Sequence, residues 1–388
     1  MPRKIIHLDL DAFFCAVEEL QNPSLRGKAF AVGGKPGERG VVASCSYAAR
    51  AHGVRSAMPM SRAMAYYPEL ITVPAQHHLY KEASEKVMAL VRAVTPLVEQ
   101  LSVDEAFLEV SDLPEAGQVI GKRLQAQIRH ELGLSSSIGI ATNKLVAKIA
   151  NDVGKQASRR GVSPFAVTVV PPGEEAAFLA PLPAEMLWGV GPKTAEKLAE
   201  MGIYTVGEIA HWAEKDLVRR FGAHGRDLSR HARGIDERPI VTEREIKSIS
   251  QERTFRRDVT NEGKLTKMLH TLSKMVATRL EKKGLAGKTV KIKVRWSDFE
   301  TLTRQKTLEA VTDREEEIFD AAFALLKEVR PTQRAVRLIG VGVSNLGPPL
   351  RQLSLWDQDV QKSREIDQVL EKLQEKFGEG IIRHGDEL

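Results

Sequence analysis

Two short acidic strings carry the residues best suited to chemistry. Asp9 and Asp11 flank Leu10 at the end of the apolar run Lys4-Ile5-Ile6-His7-Leu8, and a second pair, Asp104-Glu105, lies between short expected strands over 100–102 and 106–110. Hard divalent cations take oxygen ligands, and Mg²⁺ is typically held by one or two carboxylates together with substrate phosphates. Two such ions roughly 3.5–4 Å apart polarise an attacking hydroxyl and a departing pyrophosphate together. Acids on separate strand ends of one sheet can converge on such a pair. They can equally be solvated turn residues, and spacing alone leaves both readings open.

These acids need a sheet to bring them together. The first strand leads into a helix with Phe14, Val17 and Leu20 at helical spacing, stopped by Asn22-Pro23. The run Gly33-Gly34-Lys35-Pro36-Gly37 predicts a turn between strands over 29–32 and 41–44. Helices over 80–94 and about 115–132 alternate with strands over 100–102, 106–110 and 135–140, which predicts an α+β sheet with its helices on one face. Residues 181 to about 236 are purely helical in pattern with short Gly turns. The charged, Pro-containing segment 238–247 reads as a linker.

A second α+β unit follows. Its clearest strand is Val290-Lys291-Ile292-Lys293-Val294-Arg295-Trp296, a strict alternation that turns Val290, Ile292, Val294 and Trp296 toward helices and the three cations outward. Helices over 261–283 and 314–329, with strands over 248–255, 305–311 and 336–343, give the order β-α-β-β-α-β. Gly347-Pro348-Pro349 closes this part.

Composition sets outer limits. The 388 residues are 42% hydrophobic and 28% charged, as in folded globular chains. Net charge is +6, but residues 241–350 hold 22 basic against 15 acidic side chains, while 351–388 hold 6 against 9. A local basic unit points to a polyanionic partner. Two cysteines, Cys15 and Cys45, cannot build a disulfide framework or an all-cysteine zinc site, and a reducing cytoplasm is expected. No apolar run is long enough to span a membrane.

The strings His7-Leu8-Asp9-Leu10-Asp11-Ala12-Phe13-Phe14 and Ser102-Val103-Asp104-Glu105-Ala106-Phe107 resemble the two metal motifs of the Y-family translesion DNA polymerases, most closely their bacterial, DinB-type branch. The resemblance continues in family order through Ala43-Ser44-Cys45-Ser46-Tyr47-Ala48-Ala49-Arg50, Ser137-Ile138-Gly139-Ile140-Ala141-Thr142-Asn143-Lys144 and Arg233-Gly234-Ile235-Asp236-Glu237-Arg238-Pro239, and so covers nearly the whole chain. It implies a right-handed polymerase. The ferredoxin-like palm would take residues 1–11 and 78–166, small fingers 12–77, a helix-hairpin-helix thumb 167–236, a linker 237–247, a β-α-β-β-α-β little finger 248–346 and a tail 347–388.

The same resemblance implies two Mg²⁺ ions, with Asp9 and Asp104 on both, Leu10 through its carbonyl, and Glu105 on the ion nearest the primer 3′-hydroxyl; Asp11 falls outside this ligand set. Phe14 occupies the place of the steric gate against the sugar C2′, beside Phe13, the alternative being a core role on the first helix. Ser44, Tyr47 and Arg50, spaced along one side of a helix start, and Lys155 resemble the contacts to the nucleoside triphosphate. Lys148 is the other candidate cation.

Leu187-Trp188-Gly189-Val190-Gly191-Pro192-Lys193-Thr194 has the form of a helix-hairpin-helix turn. Gly189 and Gly191 let the backbone approach a phosphate and Lys193 opens the next helix. Lys291, Lys293 and Arg295, grouped with Arg253, Arg256 and Arg304, are expected to meet DNA phosphates, unless they form a merely solvated face. Gln352, Leu353, Leu355 and Trp356 resemble the peptide by which bacterial polymerases dock on the sliding clamp, although a later amphipathic helix with Ile366, Val369, Leu370 and Leu373 offers a packed alternative.

The implied protein is a monomeric, low-fidelity DNA-directed DNA polymerase without proofreading, acting on primer-template DNA and deoxynucleoside triphosphates. A nucleotidyl cyclase would share the paired aspartates but not need the hairpin or the basic unit. A non-catalytic DNA-binding relative would not need Asp9, Asp104 and Glu105.

Overall fold

The structure, a computed structural model, describes residues 2–157, 164–329 and 334–349. Gln352, Leu353, Leu355 and Trp356 lie outside the described residues, as do Ile366, Val369, Leu370 and Leu373. Two units, Met1–Glu245 and Ile246–Leu388, divide the chain.

In the first, β1 (Ile5–Leu10) runs into α1 (Phe13–Gln21). Then come β2 (Phe30–Gly33), β3 (Val42–Cys45), α2 (Tyr47–Ala51), α3 (Met60–Tyr66) and β4 (Ile71–Pro74), whose strands form a small sheet of order β3-β2-β4. Next are α4 (His77–Val94), β5 (Val98–Gln100), β6 (Glu105–Glu109), α5 (Gly117–Leu132), β7 (Ser136–Ala141), α6 (Lys144–Ala157) and β8 (Val167–Val169). The larger sheet has the order β5-β6-β1-β7-β8, so β1 sits at its centre.

Side chains alternate across a strand, and β1 uses both faces. Ile6, Leu8 and Leu10 pack with Val87, Val91, Ile120 and Leu124 of α4 and α5. Ile5 packs on the opposite side with Phe107, Leu145 and Ile149. The sheet therefore carries helices on both faces, not on one as its strand pattern suggests. The second face is covered by α6, which lies directly on β7 because Gly139 has no side chain; a Cβ there would stand 1.9 Å from the Ala147 carbonyl oxygen. Helix α1 keeps only part of its expected face: Val17 is buried and Phe14 packs against the core, but Leu20 does not. Leu20 is 39% exposed while Phe13, Cys15 and Glu18 are buried. Buried Glu18 is held there by Tyr80 Oη and Gln76 Nε2, which both donate to it.

A helical segment follows: α7 (Glu175–Leu179), a single 3₁₀ turn (Ala184–Met186), α8 (Pro192–Ala199), α9 (Val206–His211), α10 (Glu214–Phe221) and α11 (Ala223–Ala232). Its core of Leu179, Leu187, Leu198, Ile209, Leu217 and Leu228 is continuous with the α6 side of the sheet. Residues 235–247 have neither helix nor strand, yet they are not a loose linker. Glu99 accepts from Val241 N at 3.0 Å, Arg244 at 2.6 Å and Lys144 Nζ at 2.8 Å, and Lys144 also donates to the Pro239 carbonyl at 2.8 Å. Burial pushes the Glu99 carboxyl up, but these donors hold it below its ordinary value.

The second unit shows the β-α-β-β-α-β order: β9 (Ser248–Val259), α12 (Glu262–Lys282), β10 (Ala286–Trp296), β11 (Thr301–Thr312), α13 (Glu315–Val329) and β12 (Val336–Gly347). The sheet order is β11-β10-β12-β9, antiparallel throughout. Asn261 caps α12 by accepting from Lys264 N at 2.9 Å. Val290, Ile292, Val294 and Trp296 are buried against Leu269, Val276, Ile318 and Leu325 of the two helices.

Candidate active site

Register brings the acids together. Asp9 on β1 stands directly opposite Glu105 on β6, and Leu10 N donates to the Asp104 carbonyl at 3.0 Å. The Asp104 side chain is held by Ser102 Oγ, which also accepts from Asp104 N at 3.2 Å and Glu105 N at 3.1 Å. Asp11 goes elsewhere. Its carboxylate is buried and accepts from Ser135 Oγ at 2.7 Å and Ser137 Oγ at 2.8 Å, tying the strand end to β7.

Two lysines on one face of α6 reach into this group. Lys155 Nζ donates to Asp9 and lies 3.7 Å from Asp11, while Lys148 Nζ donates to both Glu105 oxygens at 3.0 and 3.1 Å. Burial pushes the Asp9 carboxyl up to about 7; Lys155 opposes this and Glu105 adds to it. Among the described residues no three His, Cys, Asp or Glu side chains close into a ready metal cage. The ammonium groups occupy the carboxylates instead. The donor set nevertheless suits a hard cation, because Mg²⁺ needs only a few carboxylates beside phosphate oxygens.

A cavity of about 280 Å³ opens beside these acids, lined by Asp9, Leu10, Asp104 and Lys155 from the sheet and α6, by Phe13 and Phe14 from α1, and by Ser44, Tyr47 and Arg50. Ser44 lies on β3, not on the helix expected to carry it; Tyr47 and Arg50 lie on α2, capped by Ser46. Arg50 is stacked over the Tyr47 ring at 4.8 Å, and burial pushes the Tyr47 hydroxyl up. Phe14 stacks on Tyr80 with ring centroids 4.1 Å apart. Helix α1 follows its N-cap Ala12, which has φ +46° and offers no side-chain cap to the first N–H groups of the helix, and Ala12, Phe13 and Phe14 all line the cavity. Neither Ser56, which also lines the cavity, nor Tyr80 stands out in the sequence. Ser56 sits in a turn without a motif, and the Tyr80 signal is only its place on the first turns of α4.

The other expected contacts are not among the residues that line this cavity. Gly189, with φ +102°, and Gly191, the N-cap of α8, lead into Pro192 and exposed Lys193. Thr194 N and Ala195 N both donate to the Gly191 carbonyl at 2.9 Å. On the second unit, Lys291 and Lys293 border an open depression of about 510 Å³ with Ser250, Glu252, Thr303 and Gln305. Lys293 Nζ donates to Glu252 at 2.9 and 3.0 Å, and Arg295 Nε to Thr301 at 2.8 Å. The expected single basic face is divided. Arg253 pairs with Ile339 and Arg304 with Ile292, both core residues, so these two arginines belong to the helix side of the sheet. A one-residue step in register reverses the face.

An α+β sheet with paired strand-end acids, a helical hairpin segment and a basic second unit defines a nucleotidyl-transferring polymerase. The impB/mucB/samB family matches residues 8–152, its C-terminal domain 246–355 and its helix-hairpin-helix motif 172–203. The chain belongs to this family, the Y-family DNA polymerases. Similar proteins include DNA polymerase IV of Dehalococcoides mccartyi, 39% identical over 99% of this chain and 97% of the relative, and that of Desulfatibacillum aliphaticivorans, 41% identical over 97% and 95%. The relative from Streptomyces coelicolor is 45% identical over 88% of this chain and 71% of its own. Among solved structures, a chimeric Y-family DNA polymerase superposes with TM-score 0.79 at 26% identity over 89% of this chain and 99% of its own. DinB from Sulfolobus solfataricus gives 0.59 at 26% identity over 88% and 98%. The protein is a DNA-directed DNA polymerase of the low-fidelity translesion type, and divalent metal use is general in its family. None of its described helices is long and apolar enough to cross a membrane.

Proposed function

We propose that the cavity between β1, β3, α1 and α6 is where a deoxynucleoside triphosphate is joined to a primer 3′-hydroxyl. The observation that carries this is the convergence of Asp9, Leu10 and Asp104 with a separate set of phosphate donors around one opening. In this reading Asp9, Leu10, Asp104 and Glu105 hold two Mg²⁺ ions. Such ions, when bound, polarise the attacking hydroxyl and offset charge on the departing pyrophosphate.

The chain itself supplies positioning. Arg50 offers a planar fork to phosphate oxygens, Lys155 a point charge, and Ser44 and Tyr47 hydroxyl donors. The first N–H groups of α1, at Phe13 and Phe14, add a helix-start anion site. Lys155, which rests on Asp9, would be free to meet the triphosphate with a cation held by that carboxylate. In this reading the Phe14 ring, which stacks on Tyr80, meets the sugar.

The wider assignments belong to the same proposal. Residues 1–11 and 78–166 form the palm, 12–77 the fingers, 167–236 the thumb and 248–346 the little finger, with 237–247 between them. Gly189, Gly191 and Lys193 take a DNA phosphate at the start of α8, and Lys291, Lys293 and Arg295 take others, with Arg253 and Arg304 reaching DNA only from the strand margins. The protein works as a cytoplasmic monomer, and Gln352, Leu353, Leu355 and Trp356 dock on the sliding clamp.

Asp104→Asn and Glu105→Gln test the centre of this proposal. Primer extension should fall by at least about 10²-fold, as expected when charge stabilisation at the reacting atoms is removed. Primer-template affinity should stay within about twofold, because the groups that grip DNA phosphates lie elsewhere. Extension retained near wild type would remove both acids from the chemistry.

A further inference from the structure

Glu105 is approached from two elements. Lys148 takes both oxygens from α6. From β1, His7 Nε2 lies 4.0 Å from Glu105 Oε2. The imidazole is completely buried, tilted against Phe107 at 4.9 Å, and its Nε2 has no hydrogen-bond partner among the described residues.

The position of the ring proton follows from Asn151. Asn151 Nδ2 donates to the Ser137 carbonyl at 3.0 Å, which orients the amide, and to His7 Nδ1 at 2.9 Å. Nδ1 is therefore the acceptor, and Nε2 carries the hydrogen. A buried N–H without an acceptor is unfavourable. Glu105 Oε2 lies about an ångström beyond hydrogen-bond range, and its side chain, 26% exposed, has room to turn.

We propose that His7 is a positioning residue for Glu105, with two places for the carboxylate: on Lys148 in the resting enzyme, and on His7 Nε2–H when nucleotide and cation are bound. The proposal rests on the reading of Glu105 as a cation-holding residue. It assigns a purpose to the unpaired donor, since a neutral N–H steadies the carboxylate without competing for it as the Lys148 ammonium does. Asn151 and Gly139 act behind it, the first by fixing the tautomer and the second by admitting α6 to the sheet.

Three substitutions separate this role from packing. His7→Gln places an amide nitrogen near the position of Nε2. His7→Asn can serve Asn151 but offers Glu105 nothing, and His7→Phe fills the volume alone. Mn²⁺ binding to the full-length enzyme with primer-template and a non-hydrolysable nucleotide, followed by electron paramagnetic resonance, should weaken about tenfold in His7→Asn and His7→Phe, as for removal of one hydrogen bond to a charged group. In His7→Gln it should stay within about threefold. Equal Mn²⁺ affinity in all four proteins, or affinity that simply follows melting temperature, overturns the proposal.

Nitrogen-15 spectra of the wild-type imidazole give an answer that does not depend on how the variants fold. The Nε2–H proton should move downfield when cation and nucleotide are added, and an unmoved resonance overturns the proposal. Glu105→Gln keeps the two readings distinguishable. If it still extends primers, the site assignment fails; if it is inactive while His7 is indifferent, only the present inference fails.

Discussion

At the residue scale, a buried carboxylate must either keep its proton or find a cation. Asp9 keeps Lys155 as counter-ion and is still pushed up to about 7 by burial, from an ordinary value of 3.8. With more protons bound in the folded chain than in the unfolded one, its contribution to stability is present below about pH 4 and is lost as pH rises through 7. A divalent cation should reverse that loss. Between pH 6 and 8 the ionised fraction rises from about one tenth to nine tenths, so apparent Mg²⁺ affinity should rise about ninefold. Melting temperature against Mg²⁺ concentration at several pH values measures this, and a flat profile would place the proton on another group. Phe14 gives a second prediction. Removing its ring with Phe14→Ala leaves Tyr80 facing an open cavity, and the preference for deoxyribonucleotides over ribonucleotides should fall at least about tenfold. Incorporation efficiencies with both sugars decide it; an unchanged ratio would make Phe14 a packing partner of Tyr80 only.

At the scale of elements, α6 does more positioning than its sequence announces. It brings Lys148, Asn151 and Lys155 onto one side of the sheet, and it can do so only because Gly139 leaves β7 bare beneath it. Strand β10 matters in the second unit. Neutralising Lys291, Lys293 and Arg295 together should weaken primer-template affinity and lower its salt slope by up to about 0.9 for each DNA phosphate left without its cation, independently of sequence. Lys293→Gln alone should have the smallest effect of the three, because Glu252 already neutralises that ammonium. Titrations of affinity against salt test both statements. A slope equal to wild type in the triple variant would make this a solvated face.

For the whole molecule, the proposed clamp contact of the tail can be tested apart from catalysis. Replacing Gln352, Leu355 and Trp356 with Ala should leave extension on short primed templates within about twofold while removing stimulation by a loaded clamp, because apolar anchors dominate such peptide interfaces. Stimulation that survives, or a joint fall in basal activity and melting temperature, would make the segment a packed part of the fold.

Much of this molecule is written in local pattern. Strict alternation over Val290–Trp296 determines a half-buried strand whatever surrounds it, and motif order along the chain specifies the family because each string carries its own turn and strand end. Faces and rotations are not local. Whether Leu20 or Cys15 points inward depends on how α1 meets α4, and whether Arg304 lies beside Lys291 or behind it depends on a pairing register between β10 and β11. The two strand-end aspartates are indistinguishable by type. Ser135 and Ser137 claim Asp11, while β6 places Glu105 opposite Asp9. The residue types and their order thus determined the family and the strand ends that carry its acids. Only the tertiary structure decided which acid faces the cavity, which lysine meets it and which buried nitrogen stands unpaired beside it, because those depend on the meeting of segments roughly a hundred residues or more apart, whose geometry no local spacing encodes.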